Sequence, residues 1–205
     1  MFLTSTIMKK LLFILCVSLL TLNLSAQNFG VKAGTSFAWM GGEEFDDLDV
    51  DANYYNPGFA LGGFAQFGES NMRFTAEVLY LQKGWDYSLV FWDQEISSRI
   101  VLNYIESNAM GNFYISENSS INGGVYIGYL ASGKNTTKTG GVSSTEDLEF
   151  TSEDRRVDYG ANFGFSLYLT DALQLDARYG HGLLGVDEDV EVFNRTIQFT
   201  IGLKL

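Results

Sequence analysis

The end of the chain alternates without interruption. Ile197, Phe199, Ile201, Leu203 and Leu205 fall on one side, and Thr196, Gln198, Thr200, Gly202 and Lys204 on the other. A side-chain period of two marks a β-strand with chemically distinct faces. The pattern recurs upstream. Leu173, Leu175, Ala177 and Tyr179 alternate with Gln174, Asp176, Arg178 and Gly180, and Tyr159 to Leu169 repeat the rhythm against Asp158 to Tyr168. Similar segments near 28–40, 56–67, 72–87, 97–115 and 120–132 bring the expected number of strands to eight. No long segment keeps a helical period of 3.6.

Alternation does not itself say which face is buried. The second face is built from Gly, Asn, Ser, Thr and Gln, with charges such as Lys32, Arg73, Glu77, Asp176 and Arg178. A water-soluble core of that composition would be costly, since every buried charge must be paired and every buried amide satisfied. With large apolar side chains facing lipid and the polar set around a narrow axis, that difficulty disappears. The inward glycines, Gly30, Gly34, Gly62, Gly124, Gly128, Gly160 and Gly164 among 22 in the chain, would relieve crowding in an eight-strand lumen. The fold class is therefore all-β: an eight-stranded antiparallel up-and-down transmembrane β-barrel.

The links between strands point the same way. Those at 68–71, 116–119 and 170–172 are short, and they alternate with longer polar links near 41–55, 88–96, 133–155 and 184–194. Short periplasmic turns facing longer outer loops are the usual asymmetry of such barrels, and this would place both termini in the periplasm. Residues 133–144, rich in Ser, Gly, Thr, Lys and Asn, read as a loop. Asn103 and Ser107 interrupt the lipid face of the segment at 97–115.

The leading 26 residues read as a cleaved export signal. Lys9-Lys10 precede an apolar run from Leu11 to Leu22, and Ala26 supplies a small residue at the cut. The run is too short for a membrane-spanning helix. Its removal would take the net charge from −12 to −14 and delete Cys16, the single cysteine, leaving 27–205 as one thiol-free barrel domain. Without cysteine the exported chain has no disulfide, no thiolate metal site and no thiol nucleophile. The acidic balance also argues against nucleic-acid binding.

Gly30-Val31-Lys32-Ala33-Gly34, Glu77 to Trp85 with its Lys83-Gly84 ending, and Arg178-Tyr179-Gly180-His181-Gly182-Leu183 carry a family likeness. In these motifs the chain resembles the small porin-like outer-membrane barrels of Bacteroidetes known as the PorT family. The likeness spans 27–205. It implies an eight-stranded outer-membrane barrel and no settled activity. The chain departs from the pattern at Asn108, where relatives carry a nearby proline.

Three groups of residues invite a functional reading. The first is acidic: three of the longer links, at 41–55, 133–155 and 184–194, hold 15 of the 25 carboxylates. Converging oxygens of this kind suit Ca²⁺ or Mg²⁺, with Asp47, Asp49, Asp51, Asp187 and Asp189 as candidate ligands. Asp47, Asp49 and Asp51 open with EF-hand spacing, but Ala52 stands where Gly is required and Gly58 where the closing Glu belongs, so the preferred reading is a solvated, self-repelling rim. The second is an inward charge network of Lys32, Arg73, Glu77, Lys83, Glu106, Asp176 and Arg178, read as a neutralising plug in preference to a pore or a carboxylate pair for catalysis. The third is aromatic. His181, the single histidine, sits by parity on the lipid face without a neighbouring serine, and reads as an interfacial residue, as do Trp39, Trp85, Tyr87, Phe91 and Trp92.

No catalytic residue, cofactor site or nucleotide-binding glycine loop emerges. The expectation is a monomeric, non-enzymatic outer-membrane protein with acidic outer loops, in a structural or surface-interaction role. Outer-membrane lipid and lipopolysaccharide are its expected partners, with divalent cations at the loops as a lesser one. A narrow channel for small solutes or ions, or an accessory to protein secretion, are the alternatives.

Overall fold

The computed structural model describes residues 28–41, 56–68, 71–91, 94–148, 156–187 and 190–205. The export segment, the acids from Glu43 to Asp51, Trp92 and Asp189 lie outside them. The described residues form nine antiparallel strands: β1 (Asn28–Gly41), β2 (Asn56–Phe67), β3 (Met72–Phe91), β4 (Gln94–Ser116), β5 (Ser119–Thr139), β6 (Val142–Asp147), β7 (Val157–Tyr168), β8 (Leu173–Asp187) and β9 (Val190–Lys204). Eight of them close a ring. Each of β1, β2, β3, β4, β5, β7, β8 and β9 pairs with two neighbours in the ring, β4 joining β5 and β1 joining β9, and β5 pairs with β6 besides. A closed ring leaves no sheet edge, which is what a strand fold needs in a solvent that cannot hydrogen-bond.

The ninth strand corrects the loop expected at 133–144. There β5 runs on to Thr139 and turns back as β6, which pairs only with β5. Gly140 and Gly141 both have positive φ, 57° and 84°, the requirement of a two-residue hairpin turn whose twist matches its strands. Alternating Thr, Ser and Lys side chains therefore form strand rather than loose loop. The link expected at 88–96 is likewise mostly strand, with Phe91 opposite Gln94, and in the link at 184–194 Asp187 pairs with Val190. Strand length varies around the ring: β3, β4 and β5 have 20, 23 and 21 residues, β2 and β7 only 12. One flank consequently stands taller at the end away from the termini, hereafter the far end.

The apolar face points outward. Phe163, Phe199 and Ile201 are 61%, 52% and 55% exposed on the bare chain, whereas Ser36 and Gln198 are buried inside the ring. Asn103 marks an irregularity of β4, whose pairing with β5 shifts register between Asn103 and Tyr104. It sits at the far edge of the lipid band, where Gln82 Nε2 donates to its Oδ1 at 3.0 Å and its Nδ2 donates to Ser132 Oγ at 2.9 Å. Asn108 is buried inward and accepts from Asn162 Nδ2, and β4 pairs with β3 without a register shift.

Two further findings differ from expectation. The interior is not wholly polar: Leu79 and Leu81 are completely buried, and Leu102, Tyr104 and Leu130 form an apolar cluster joined by Ile100, Leu148 and Trp85. Trp85 thus packs inside the far end rather than in a lipid-facing girdle, because it shares parity with inward Lys83. Some glycines save space on the axis as expected, a Cβ at Gly30 lying 2.3 Å from the Phe64 ring, but others answer to a second constraint. A Cβ at Gly62 would lie 2.0 Å from the Val78 carbonyl oxygen, and one at Gly160 2.0 Å from that of His181. The neighbouring strand's backbone forbids a side chain at these positions, and the Tyr126 ring, 2.6 Å away, crowds Gly160 from the lumen as well.

Candidate functional site

Strand parity aims Lys32 of β1, Glu77 and Lys83 of β3, Glu106 of β4, and Asp176 and Arg178 of β8 at the axis, where they form two charge clusters. In the first, Glu77 accepts two bonds from the Arg178 fork, Nη1 to Oε2 at 2.6 Å and Nη2 to Oε1 at 3.0 Å. Lys32 Nζ reaches Glu77 Oε1 at 2.6 Å and Asp176 Oδ2 at 3.1 Å. Asp176 is held further by Ser166, Gln174 and Thr200. Two cations meet two carboxylates, so the cluster is neutral. Bidentate Arg–carboxylate geometry is the strongest form of such a bond.

The second cluster lies toward the far end. Lys83 Nζ bridges Glu106 Oε2 at 2.8 Å and Asp158 Oδ2 at 2.9 Å. It sits over the rings of Tyr126 and Tyr104, 4.4 and 4.9 Å from their centroids. Asp158 also accepts from the Tyr126 hydroxyl and from Asn194 Nδ2, each at 3.3 Å to Oδ2. Asp158, Tyr126, Tyr104 and Asn194 escaped the sequence reading as members of this network. Asp158 alone carried a signal there, as the charged residue heading the polar face of β7.

Arg73 is not brought into either cluster. It lies near the terminal end, its guanidinium 4.4 Å from the Tyr114 ring centroid, with Tyr114 stacked on Tyr168 and Lys204 over the latter. Among the described residues no cluster suited to a metal ion occurs. Of the candidate acidic ligands only Asp187 falls within the described backbone, as the last residue of β8. His181 is on the outer face, its Nδ1 3.0 Å from the Tyr179 hydroxyl.

The clusters matter because of where their partners sit. In ring order β3 and β8 stand opposite each other, four strands apart in either direction. The Glu77–Arg178 pair therefore spans the bore from wall to wall, and Lys83 ties β3 to β4 and β7.

A closed ring with lipid-facing apolar rows and a charged bore is matched by one protein-family model, the outer membrane protein beta-barrel domain, over residues 24–188. The chain belongs to that family. It is accordingly an outer-membrane barrel. Among solved structures it is similar to the attachment invasion locus protein Ail of Yersinia pestis in complex with the heparin analogue sucrose octasulfate, at 14% identity and a TM-score of 0.50, covering 87% of this chain and 98% of that one. Neisserial surface protein A matches at 16% identity and a TM-score of 0.45, over 86% of this chain and 97% of that one. OprG of Pseudomonas aeruginosa matches at 10% identity and 0.40, over 88% and 96%. These likenesses speak to fold alone. No curated protein matches the sequence.

Proposed function

We propose that this outer-membrane barrel is a closed, non-enzymatic envelope protein whose bore is plugged by its own charges and whose acidic far rim faces the cell exterior. The observation that carries the reading is the Glu77–Arg178 pair across the full width of the ring, backed by Lys32, Lys83, Glu106 and Asp176. Opposite charges that neutralise one another across a narrow bore leave no continuous path for a hydrated ion. The apolar cluster of Leu102, Tyr104 and Leu130 adds a second obstruction beyond them.

In this reading residues 1–26 are the export signal, both termini lie in the periplasm, and the chain works as a monomer with membrane lipid as its principal partner. The motif likeness to the Bacteroidetes PorT family fits the same picture and supplies no activity. The longer links at the far end carry most of the carboxylates, and their mutual repulsion keeps the rim solvated. Purified protein in planar bilayers tests the proposal: the expected result is no steady current above the bare membrane, and a stable open conductance would establish the channel reading instead.

A further inference from the structure

The lipid-facing band has a cation, Arg195, at its far edge whose Nε finds no hydrogen-bond partner among the described residues. Arg195 of β9 lies on the outer face, in register with Trp39 of β1 on one side and His181 of β8 on the other. It is half-buried. Its Nε is covered and lacks a hydrogen-bond partner, and no ion pair involves it among the described residues. The surrounding floor is aromatic. Trp39 and His181 each lean on Tyr179, with centroids 6.2 and 6.1 Å apart, and Phe193 stacks on His181 at 6.2 Å.

Depth follows from the register. Arg195 lies eight residues along β9 from exposed Leu203. At ~3.3 Å per residue and a tilt near ~40° that separation is roughly 20 Å of membrane height, comparable with the ~25 Å apolar band of such barrels. Arg195 is therefore at headgroup level. Four to six residues further along β9, past the outward row of Phe37, Ile197 and Tyr179, the outer wall has a shallow apolar groove of about 500 Å³. Ala33 and Thr35 of β1 and Ala177 of β8 line it on either side of Phe199, with Phe165 and Leu175 completing the wall.

We propose that this face binds one phosphate-bearing lipid, its phosphate on Arg195 and His181 and one acyl chain in the groove below. The chemistry is complementary at both ends. A guanidinium at an interface presents a planar donor fork matched to phosphate oxygens. In the tautomer whose Nδ1 accepts from the Tyr179 hydroxyl, His181 Nε2 carries the proton and is a further donor for the same anion. Small side chains at 33, 35 and 177, among larger ones, leave room for a methylene chain that a flat wall would not hold. The site refines the lipid-partner reading above and is independent of whether the bore conducts.

The test uses the folded barrel in nanodiscs of phosphatidylcholine, with or without phosphatidic acid, and native mass spectrometry to count retained lipid. Wild-type protein retains phosphatidic acid in preference to phosphatidylcholine. Arg195→Gln lowers that retention about tenfold, the effect of losing one charge-assisted hydrogen bond. Ala177→Trp, which fills the groove and leaves the guanidinium in place, lowers it as well, and Lys204→Gln at the opposite end leaves it unchanged. Heat-modifiable gel mobility confirms that each variant is folded, and Arg195→Lys, which keeps the charge, retains an intermediate amount. Undiminished retention by Arg195→Gln overturns the proposal. So does displacement of the phosphatidic acid by inorganic phosphate, which would mean a free-anion site, or an Ala177→Trp variant that binds as wild type does.

Discussion

Glu77 is the residue on which most of the interior depends. Its two oxygens take three charge-assisted contacts from Lys32 and Arg178, in a place where neither cation can find water. Removing one partner of a buried ion network costs more than the network contributes, because the remaining charges are stranded. Glu77→Gln is therefore expected to destabilise the folded barrel by about 3–5 kcal/mol, read from urea unfolding in detergent micelles. Asp158→Asn should cost less, since Lys83 keeps Glu106 at 2.8 Å. Equal, small effects from both would mean that the clusters do not tie the walls together. These charges were readable from strand parity alone, as Glu77 and Arg178 alternate with apolar neighbours. Their pairing was not, because the distance across a ring depends on strand order and shear, which local sequence does not encode.

At the level of the strand, backbone approach is the controlling term. Gly62→Ala would drive a Cβ against the Val78 carbonyl, so β2 and β3 must separate locally. The expected outcome is a lower yield of refolded barrel on heat-modifiable gels, with Gly63→Ala, whose nearest contact is 3.5 Å away, behaving as wild type. In the β5–β6 hairpin, Gly141 at φ 84° does not suit a β-branched residue. Gly141→Val should speed amide exchange from Lys134 to Asp147 and leave the ring protected, because β6 contacts only β5. The hairpin itself was hidden in the sequence. Thr, Ser and Lys on both faces give no hydrophobic alternation, and a polar strand outside lipid looks like a loop. Trp85 was misread for a related reason: aromatics near a strand end suggest a girdle, while parity with Lys83 already turned it inward.

For the whole molecule the question is whether the obstruction in the bore can be lifted. Replacing both members of the spanning pair, Glu77→Ala with Arg178→Ala, removes the wall-to-wall bond without leaving its own partner charge behind. If the pair is the main block, the double variant should pass a small current in planar bilayers where wild type passes none. A silent double variant would shift the weight to the apolar cluster at Leu102, Tyr104 and Leu130. The overall architecture was the most legible level, since eight alternating segments with unequal links admit few arrangements that satisfy every backbone group in lipid. The taller flank of β3, β4 and β5 was not, because strand continuation above the membrane leaves no apolar trace.

The β1–β9 seam has a bearing on assembly. Every other contact in the ring joins strands consecutive around it and can form as a growing meander, whereas Gly30 must meet Lys204 from the opposite extremity of the described chain. Closing so long a loop is entropically the most demanding event, and it cannot precede delivery of β9. A nascent molecule halted before that moment exposes two adhesive borders, on β1 and β8, each able to recruit a stranger. Completion by the final strand thus acts as a quality checkpoint, separating an inert cylinder from a seed for aggregation.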